Sequence, residues 1–298
     1  MTTSGASTPD VTLPGNAVVL LGRRCTNTST VVTVLQDAGI DLAAVILADP
    51  ESAGAQVPAE NESSPVCHAA SPHATRCLLE SLQPDLVIAA CYPWRVPREA
   101  RAVSRYGVLN IHPSPLPHGR GPDPVFWVYR NGARDTGVTI HLMDDGFDSG
   151  PILAQQRMAV PAGMDVVTLE RHLFETGARM TVRLVPHVLT GEATVSPQDH
   201  RAATYQPAPS AQDWVISPLL PAAWAWRFVQ GVEPLHGPLR VHIRGQLVPV
   251  RRAIAWSDHG APPDDLPAGA IPVQFRPGWV IFAERDAAPA GGKKTGPA

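Results

Sequence analysis

Asn110 and His112 stand two residues apart in the run GVLNIH, residues 107–112, which reads as a short strand leading into Pro113, Pro115 and Pro117. Residues i and i+2 of a strand share a face, so an amide and an imidazole project together while Leu109 and Ile111 turn to the other side. An amide N–H can donate to a developing oxyanion, and an imidazole titrates near neutral pH. With a carboxylate beside them they are equipped for acyl transfer to an amine, in which an oxyanion forms, the amine loses a proton and the leaving nitrogen gains one. Asp144, Asp145 and Asp148 crowd the turn after the next strand, and spacing alone does not choose among them. They lack clustered partner ligands, so no metal is expected.

Those residues need a strand end to sit on, and the surrounding pattern supplies one. Residues 17–21 are a continuous apolar run closed by Gly22, as in a strand buried on both faces of a parallel sheet. Capping residues Thr26 to Ser29 then open a helix that closes at Gly39, and 42–47 is a second apolar strand. A helix over 75–82, strands over 86–90 and 107–111, a helix over 125–130 behind Pro122 and Pro124, and an alternating strand over 136–143 follow. The stretch 165–189 reads as a helix kinked or ended by Pro186. The expected fold is therefore α/β, a Rossmann-like open, mostly parallel sheet with helices on both faces, plus a small β-rich C-terminal domain with strands over 239–250 and 270–283. Domain limits are expected at 1–15 (disordered tail), 16–195 (catalytic domain), 196–212 (linker), 213–285 (small β-rich domain) and 286–298 (tail), with a loop over 49–66. Trp214, Trp224, Trp226 and Phe228 read as packing residues.

Composition narrows the chemistry. Over 298 residues, 44% are hydrophobic and 17% charged, with 32 prolines, which suits a globular protein of two domains and excludes a long helical array. The net charge of −3 leaves no global attraction for nucleic acid. Lysine occurs only at Lys293 and Lys294, which removes a buried lysine nucleophile and a lysine-bearing phosphate loop. Cys25, Cys67, Cys77 and Cys91 show neither CxxC nor zinc spacing and read as ordinary reduced thiols. There is no leader-like N-terminus and no membrane-length apolar run, so a cytoplasmic location is the default expectation.

NIHPSPLPHGRG followed by GVTIHLMDDGFDSGPIL resembles the signature of the folate-dependent formyltransferases, a family that includes enzymes acting on methionyl-tRNA, glycinamide ribonucleotide and amino sugars. The resemblance covers roughly residues 17–190. It implies a 10-formyltetrahydrofolate donor and the catalytic set Asn110, His112 and Asp148, selecting Asp148 from the three aspartates. It also implies a donor site along Cys91, Tyr92, Pro93, Trp94, Arg95 and Val96, and along Leu142, Met143, Asp144, Asp145 and Phe147. Tyr92 and Trp94 would add apolar walls. The stiff loop at Ser114, Leu116, Gly119, Arg120 and Gly121 is expected to shape the acceptor site, and Arg23 and Arg24, at a strand-to-helix turn without a GxGxxG fingerprint, to meet an anionic group of the acceptor.

The expected function is N-formyl transfer to a small-molecule amine, an amino-acid-derived precursor of secondary metabolism or an amino sugar nucleotide. Methionyl-tRNA formylation ranks second: Pro93 stands where the tRNA-directed branch commonly has Gly, and the second domain, which carries the suggestive set Arg227, Arg240, Arg244, Arg251, Arg252 and Arg276, is short and lacks any lysine. A folate-binding protein without catalysis and a hydrolase that releases formate are the remaining readings. No membrane partner is expected, and the oligomeric state stays open.

Overall fold

The computed structural model describes residues 17–48 and 64–284. The expected tails at 1–15 and 286–298, with Lys293 and Lys294, and the 49–63 part of the expected loop lie outside the described residues. The chain divides into two compact units, one comprising 17–127, 135–160 and 168–208, the other 128–134, 161–167 and 209–284.

In the first unit β1 (Val18–Arg23), β2 (Leu42–Ala48), β3 (Val66–Ala69), β4 (Leu86–Ala90), β5 (Val108–His112), β6 (Asp135–Leu142) and β7 (Ile152–Ala159) form one sheet in the order β3-β2-β1-β4-β5-β6-β7. The strands from β1 to β5 pair in parallel, whereas β6 and β7 run antiparallel to their neighbours. The expected Rossmann-like sheet is present. Its strand order reverses between β1 and β4, and in such sheets ligands collect beyond the carboxyl ends of strands at that switch point.

The helices between and after these strands are α1 (Thr26–Asp37), α2 (Pro72–Leu82), α3 (Arg98–Arg101), α4 (Pro124–Arg130) and α5 (Val166–Thr190). Val19, Leu21, Val87 and Ala89 pack in one cluster with Leu79 of α2 and Ala100 of α3. On the opposite face α5 approaches the sheet at Gly177, where an added Cβ would lie 2.4 Å from Ile111 Cγ2 and 2.9 Å from Val138 Cγ2. A glycine inside a helix costs about 1 kcal/mol against alanine, and here it permits that close contact. Gly177→Val is therefore expected to destabilise the protein by about 1–3 kcal/mol through overpacking, read as a lower urea midpoint at an unchanged slope. Pro186 does not end α5, since the helix continues to Thr190. So near the C-terminus a missing N–H disturbs only the last turns.

In the second unit β8 (Val215–Ile216), α6 (Ala222–Val232), β9 (Arg240–Ile243), β10 (Gln246–Ser257), β11 (Ala270–Gln274) and β12 (Trp279–Glu284) build a sheet ordered β11-β12-β10-β9-β8. The runs expected as short strands over 239–250 and 270–283 each hold parts of two strands. The first breaks at Arg244 and Gly245, with φ of 47° and 82°, and the second just before Trp279 at Gly278, with φ of 89°. Left-handed residues in succession suit a tight hairpin turn. The tryptophans pack, as expected, but on a helix: Trp224 of α6 stacks on Phe228 with ring centroids 5.3 Å apart and donates from Nε1 to the Arg130 carbonyl at 3.0 Å. Among the described residues no helix is long and apolar enough to cross a membrane.

Candidate active site

The end of β5 carries Asn110 and His112, and the antiparallel register with β6 sets His141 opposite Asn110 and Thr139 opposite His112. The turn after β6 then returns Asp148 to the same place. Asp148 adopts φ of 50°, a left-handed backbone that Asp tolerates better than most residues. The four polar side chains form one cluster. Asp148 Oδ1 lies 3.4 Å from Asn110 Nδ2 and 3.6 Å from both His112 Nδ1 and His141 Nε2. Its other oxygen accepts the Gly121 backbone N–H at 2.9 Å.

The hydrogen bonds fix the tautomers. His112 Nε2 faces the Gly119 carbonyl at 2.8 Å, so it holds a proton and leaves Nδ1 as the free lone pair of the neutral ring. His141 Nδ1 faces the Leu142 carbonyl at 2.9 Å and likewise carries its proton there, so Nε2 accepts from Asn110 Nδ2 at 3.1 Å. Asn110 thus has one amide N–H bound and a second aimed loosely toward Asp148. Burial holds His112 below the usual imidazole range, against the upward pull of Asp148 and the Gly119 carbonyl. Burial works to raise the Asp148 carboxyl, but His112, His141 and the Gly121 N–H outweigh it and keep that group well below the usual carboxylate range. A neutral base beside a firmly ionised carboxylate is the result.

The other two aspartates point elsewhere. Asp144 Oδ1 accepts from the Gly146 N–H at 3.0 Å and the Ser149 hydroxyl at 2.6 Å, closing the turn. Asp145 pairs with Arg101, and its carbonyl accepts from Arg95. That last bond ties the two segments expected to hold the donor: Cys91 to Val96 after β4, and Leu142 to Phe147 after β6. Tyr92, Trp94 and Met143 pack on the same apolar cluster. Tyr92 and Trp94 meet edge to face at 5.7 Å, Val96 is buried, and exposed Phe147 lies under the Arg95 guanidinium. The segments therefore border one apolar-walled edge next to the polar cluster, which suits a flat heterocycle. Pro93 lies between the two aromatic residues.

The proline loop spends much of its chemistry on itself. Ser114 and Leu116 are buried. The Ser114 hydroxyl donates to the His118 carbonyl, its carbonyl accepts from Thr139, and the Leu116 N–H donates to the Thr139 hydroxyl oxygen. Gly119 and Gly121 take φ of 75° and 107°, freeing the carbonyl that receives His112 and the N–H that meets Asp148. Arg120 is held by Gln198 and His200. Arg23 and Arg24 are exposed, and Arg23 lies in the field of Asp123 and Glu170.

The sequence did not mark three contributors. His141 is 1% exposed, and its place follows only from the pairing of β6 with β5. Gln198, in the stretch expected as a linker, donates from Nε2 to the carbonyls of Asp148 at 2.8 Å and Gly150 at 2.7 Å. Thr204 of the same stretch accepts the Gly119 N–H at 2.9 Å. A period-free, proline-rich segment gives no sequence signal for either.

Comparison with known proteins adds an independent finding. Residues 16–185 match the family described as Formyl transferase. The chain is similar to the methionyl-tRNA formyltransferase of Roseiflexus castenholzii, 35% identical over 193 residues, which is 65% of this chain and 60% of that protein. The chain thus spans about three-fifths of the length of that curated relative. Among solved structures, HypX from Aquifex aeolicus in complex with tetrahydrofolic acid superposes with a TM-score of 0.65 at 17% identity, over 89% of this chain and 43% of that one. An N-formyltransferase from Helicobacter canadensis, in complex with folinic acid and dTDP-3-aminofucose, does so with a TM-score of 0.63 at 12% identity, over 91% of this chain and 99% of that one. These likenesses concern the fold.

Proposed function

Because the chain belongs to the formyl transferase family, we propose that it moves a formyl group from 10-formyltetrahydrofolate to an amine, directly and without a covalent enzyme intermediate. One observation carries the reading: Asn110, His112 and Asp148 converge with His141 at the end of β5, beside the two segments that border an apolar-walled edge. The donor supplies an activated formyl carbon. Asn110 turns its loosely held N–H to the oxyanion that forms when the amine attacks. His112, neutral and with Nδ1 open, takes the amine proton and returns it to the leaving folate nitrogen. Asp148, too acidic to serve as that base, stabilises the imidazolium between the two transfers.

On the acceptor, the relatives favour the reading placed second by sequence, the α-amino group of methionyl-tRNA. A small-molecule amine retains one observation in its favour: the span 209–284 sets Arg227, Arg240, Arg244, Arg251, Arg252 and Arg276 against Asp213, Glu233, Asp258, Asp264, Asp265 and Glu284, which is no strongly basic composition. Incubating the protein and 10-formyltetrahydrofolate with methionyl-tRNA in one arm and a panel of amino acids and amino sugar nucleotides in another decides between them. Acceptor-dependent release of tetrahydrofolate in either arm supports formyl transfer, formate released without acceptor points to a hydrolase, and turnover in neither arm defeats the proposal.

Gln198 gives a further check at a distance from the reacting atoms. Gln198→Leu leaves the Asp148 and Gly150 carbonyls without that donor, at about 1–3 kcal/mol for each buried group, and leaves the Arg120 guanidinium with His200. It also loosens Asp148, and a misplacement of about 1 Å costs up to about 10²-fold. Lower kcat with a lower Tm is the expected pair of results, and unchanged kcat would show that the 196–208 stretch does not position the site.

A further inference from the structure

At the switch point of the sheet, the residues leaving β1 and β4 bring two thiols together. Cys25 occupies the N-cap position of the twelve-residue helix α1, with no cap bond from its side chain; its sulfur lies 3.4 Å from the Thr28 hydroxyl, and that hydroxyl donates to the carbonyl of Ala90, the residue before Cys91. The Thr28 hydroxyl thus spans from the Cys25 sulfur to the residue before Cys91, and each thiol weighs on the titration of the other. Both are partly exposed. The sequence reads them as ordinary thiols, and the pairing of β1 with β4 makes them a couple.

We propose that Cys25 and Cys91 form a redox-modification site in which Cys25 attacks a low-molecular-weight disulfide and Cys91 resolves the product into a Cys25–Cys91 bond. In the first step the Cys25 thiolate displaces one thiolate of the small disulfide, one S–S bond breaking as another forms. In the second, Cys91 loses its proton to solvent and attacks Cys25 Sγ, and the second small thiolate departs. Two protein thiols are oxidised by two electrons and the small disulfide is reduced to two thiols.

The two residues are suited to that order. The Cys91 thiol, helped by Thr28 and Arg23 against the cost of burial, holds Cys25 down to about 5, and a thiolate at a helix N-terminus is the reactive form. Cys91 is pushed up by Cys25 and by burial, so it stays a thiol while Cys25 is charged. Once Cys25 is in a mixed disulfide, that charge is gone and Cys91 becomes the easier one to ionise. Cys67, raised by burial, has no such partner among the described cysteines, and exposed Cys77 meets His73.

Cys91 holds φ of 55° and opens the segment assigned to the donor. Drawing its sulfur to an S–S separation of about 2.05 Å from Cys25 shifts the first residue of that segment, so the oxidised protein should lose donor affinity. This consequence rests on the function proposed above; the disulfide itself does not.

The full chain, reduced and then exposed to oxidised glutathione at neutral pH, is digested without reduction and its linked peptides are mapped. A Cys25–Cys91 peptide is expected in the wild type, none in Cys25→Ser, and glutathione retained on Cys25 in Cys91→Ser. Absence of the linked peptide, or faster consumption of Cys77 than of Cys25, overturns the site. Formyl transfer should fall on oxidation, return with dithiothreitol, and be insensitive to glutathione disulfide in Cys25→Ser. A linked peptide with full turnover would keep the thiol pair and overturn the placement of the donor along 91–96.

Discussion

Asp148→Asn is expected to lower kcat by about 10²- to 10⁴-fold, the range of a general acid–base contribution, with little change in KM for the donor. The asparagine oxygen can still accept the Gly121 N–H, so the loop keeps its tie, but the charge that faces His112 and His141 at 3.6 Å is gone. A buried imidazolium then forms without a counter-charge. Stability carries a second signature. The Asp148 carboxyl is depressed in the folded protein, so its stabilising contribution is fully present above the unfolded value of about 3.9 and is lost as pH falls toward the folded one. Wild type should therefore lose stability more steeply than Asp148→Asn below about pH 4, measured by urea titration across pH. Near-normal kcat in the variant would remove Asp148 from the reaction.

What the sequence shows of this site tracks how local each feature is. The shared face of Asn110 and His112 follows from the two-residue period of one strand, and buried strands such as Leu86–Ala90 announce themselves as apolar runs. The choice among three aspartates is not local. Asp144 closes its own turn, Asp145 reaches Arg101, and only the left-handed backbone at Asp148 directs that carboxylate inward. His141 alternates with Thr139 on a strand whose polar face looks like surface until β6 is laid against β5. Gln198 acts across 50 residues from a segment with no period at all. The edge strand β7 was invisible for the opposite reason: Gln155, Gln156 and Arg157 are exposed and replace the apolar alternation that marks a half-buried strand.

The pH dependence of His112 separates its role as base from a role in packing. Burial lowers its folded value, so the neutral ring persists below the ordinary imidazole value of about 6.5, and the acid limb of kcat/KM should fall below that pH. Asp148 pulls the His112 value upward, so Asp148→Asn should move the limb further to the acid side, even as kcat drops. His112→Gln should lower kcat by about 10²- to 10⁴-fold and abolish the limb, because the amide can still donate to the Gly119 carbonyl but cannot exchange a proton. The stability effect has the same direction: the unfolded imidazole binds a proton near pH 6.5 that the folded one refuses, so this contribution is present above that pH and lost as pH falls. His112→Gln removes that loss while leaving the loop tied. An acid limb above 6.5, or one that survives in His112→Gln, would assign the proton transfers to another group, and His141, whose Nε2 already accepts from Asn110, is where the next substitution belongs.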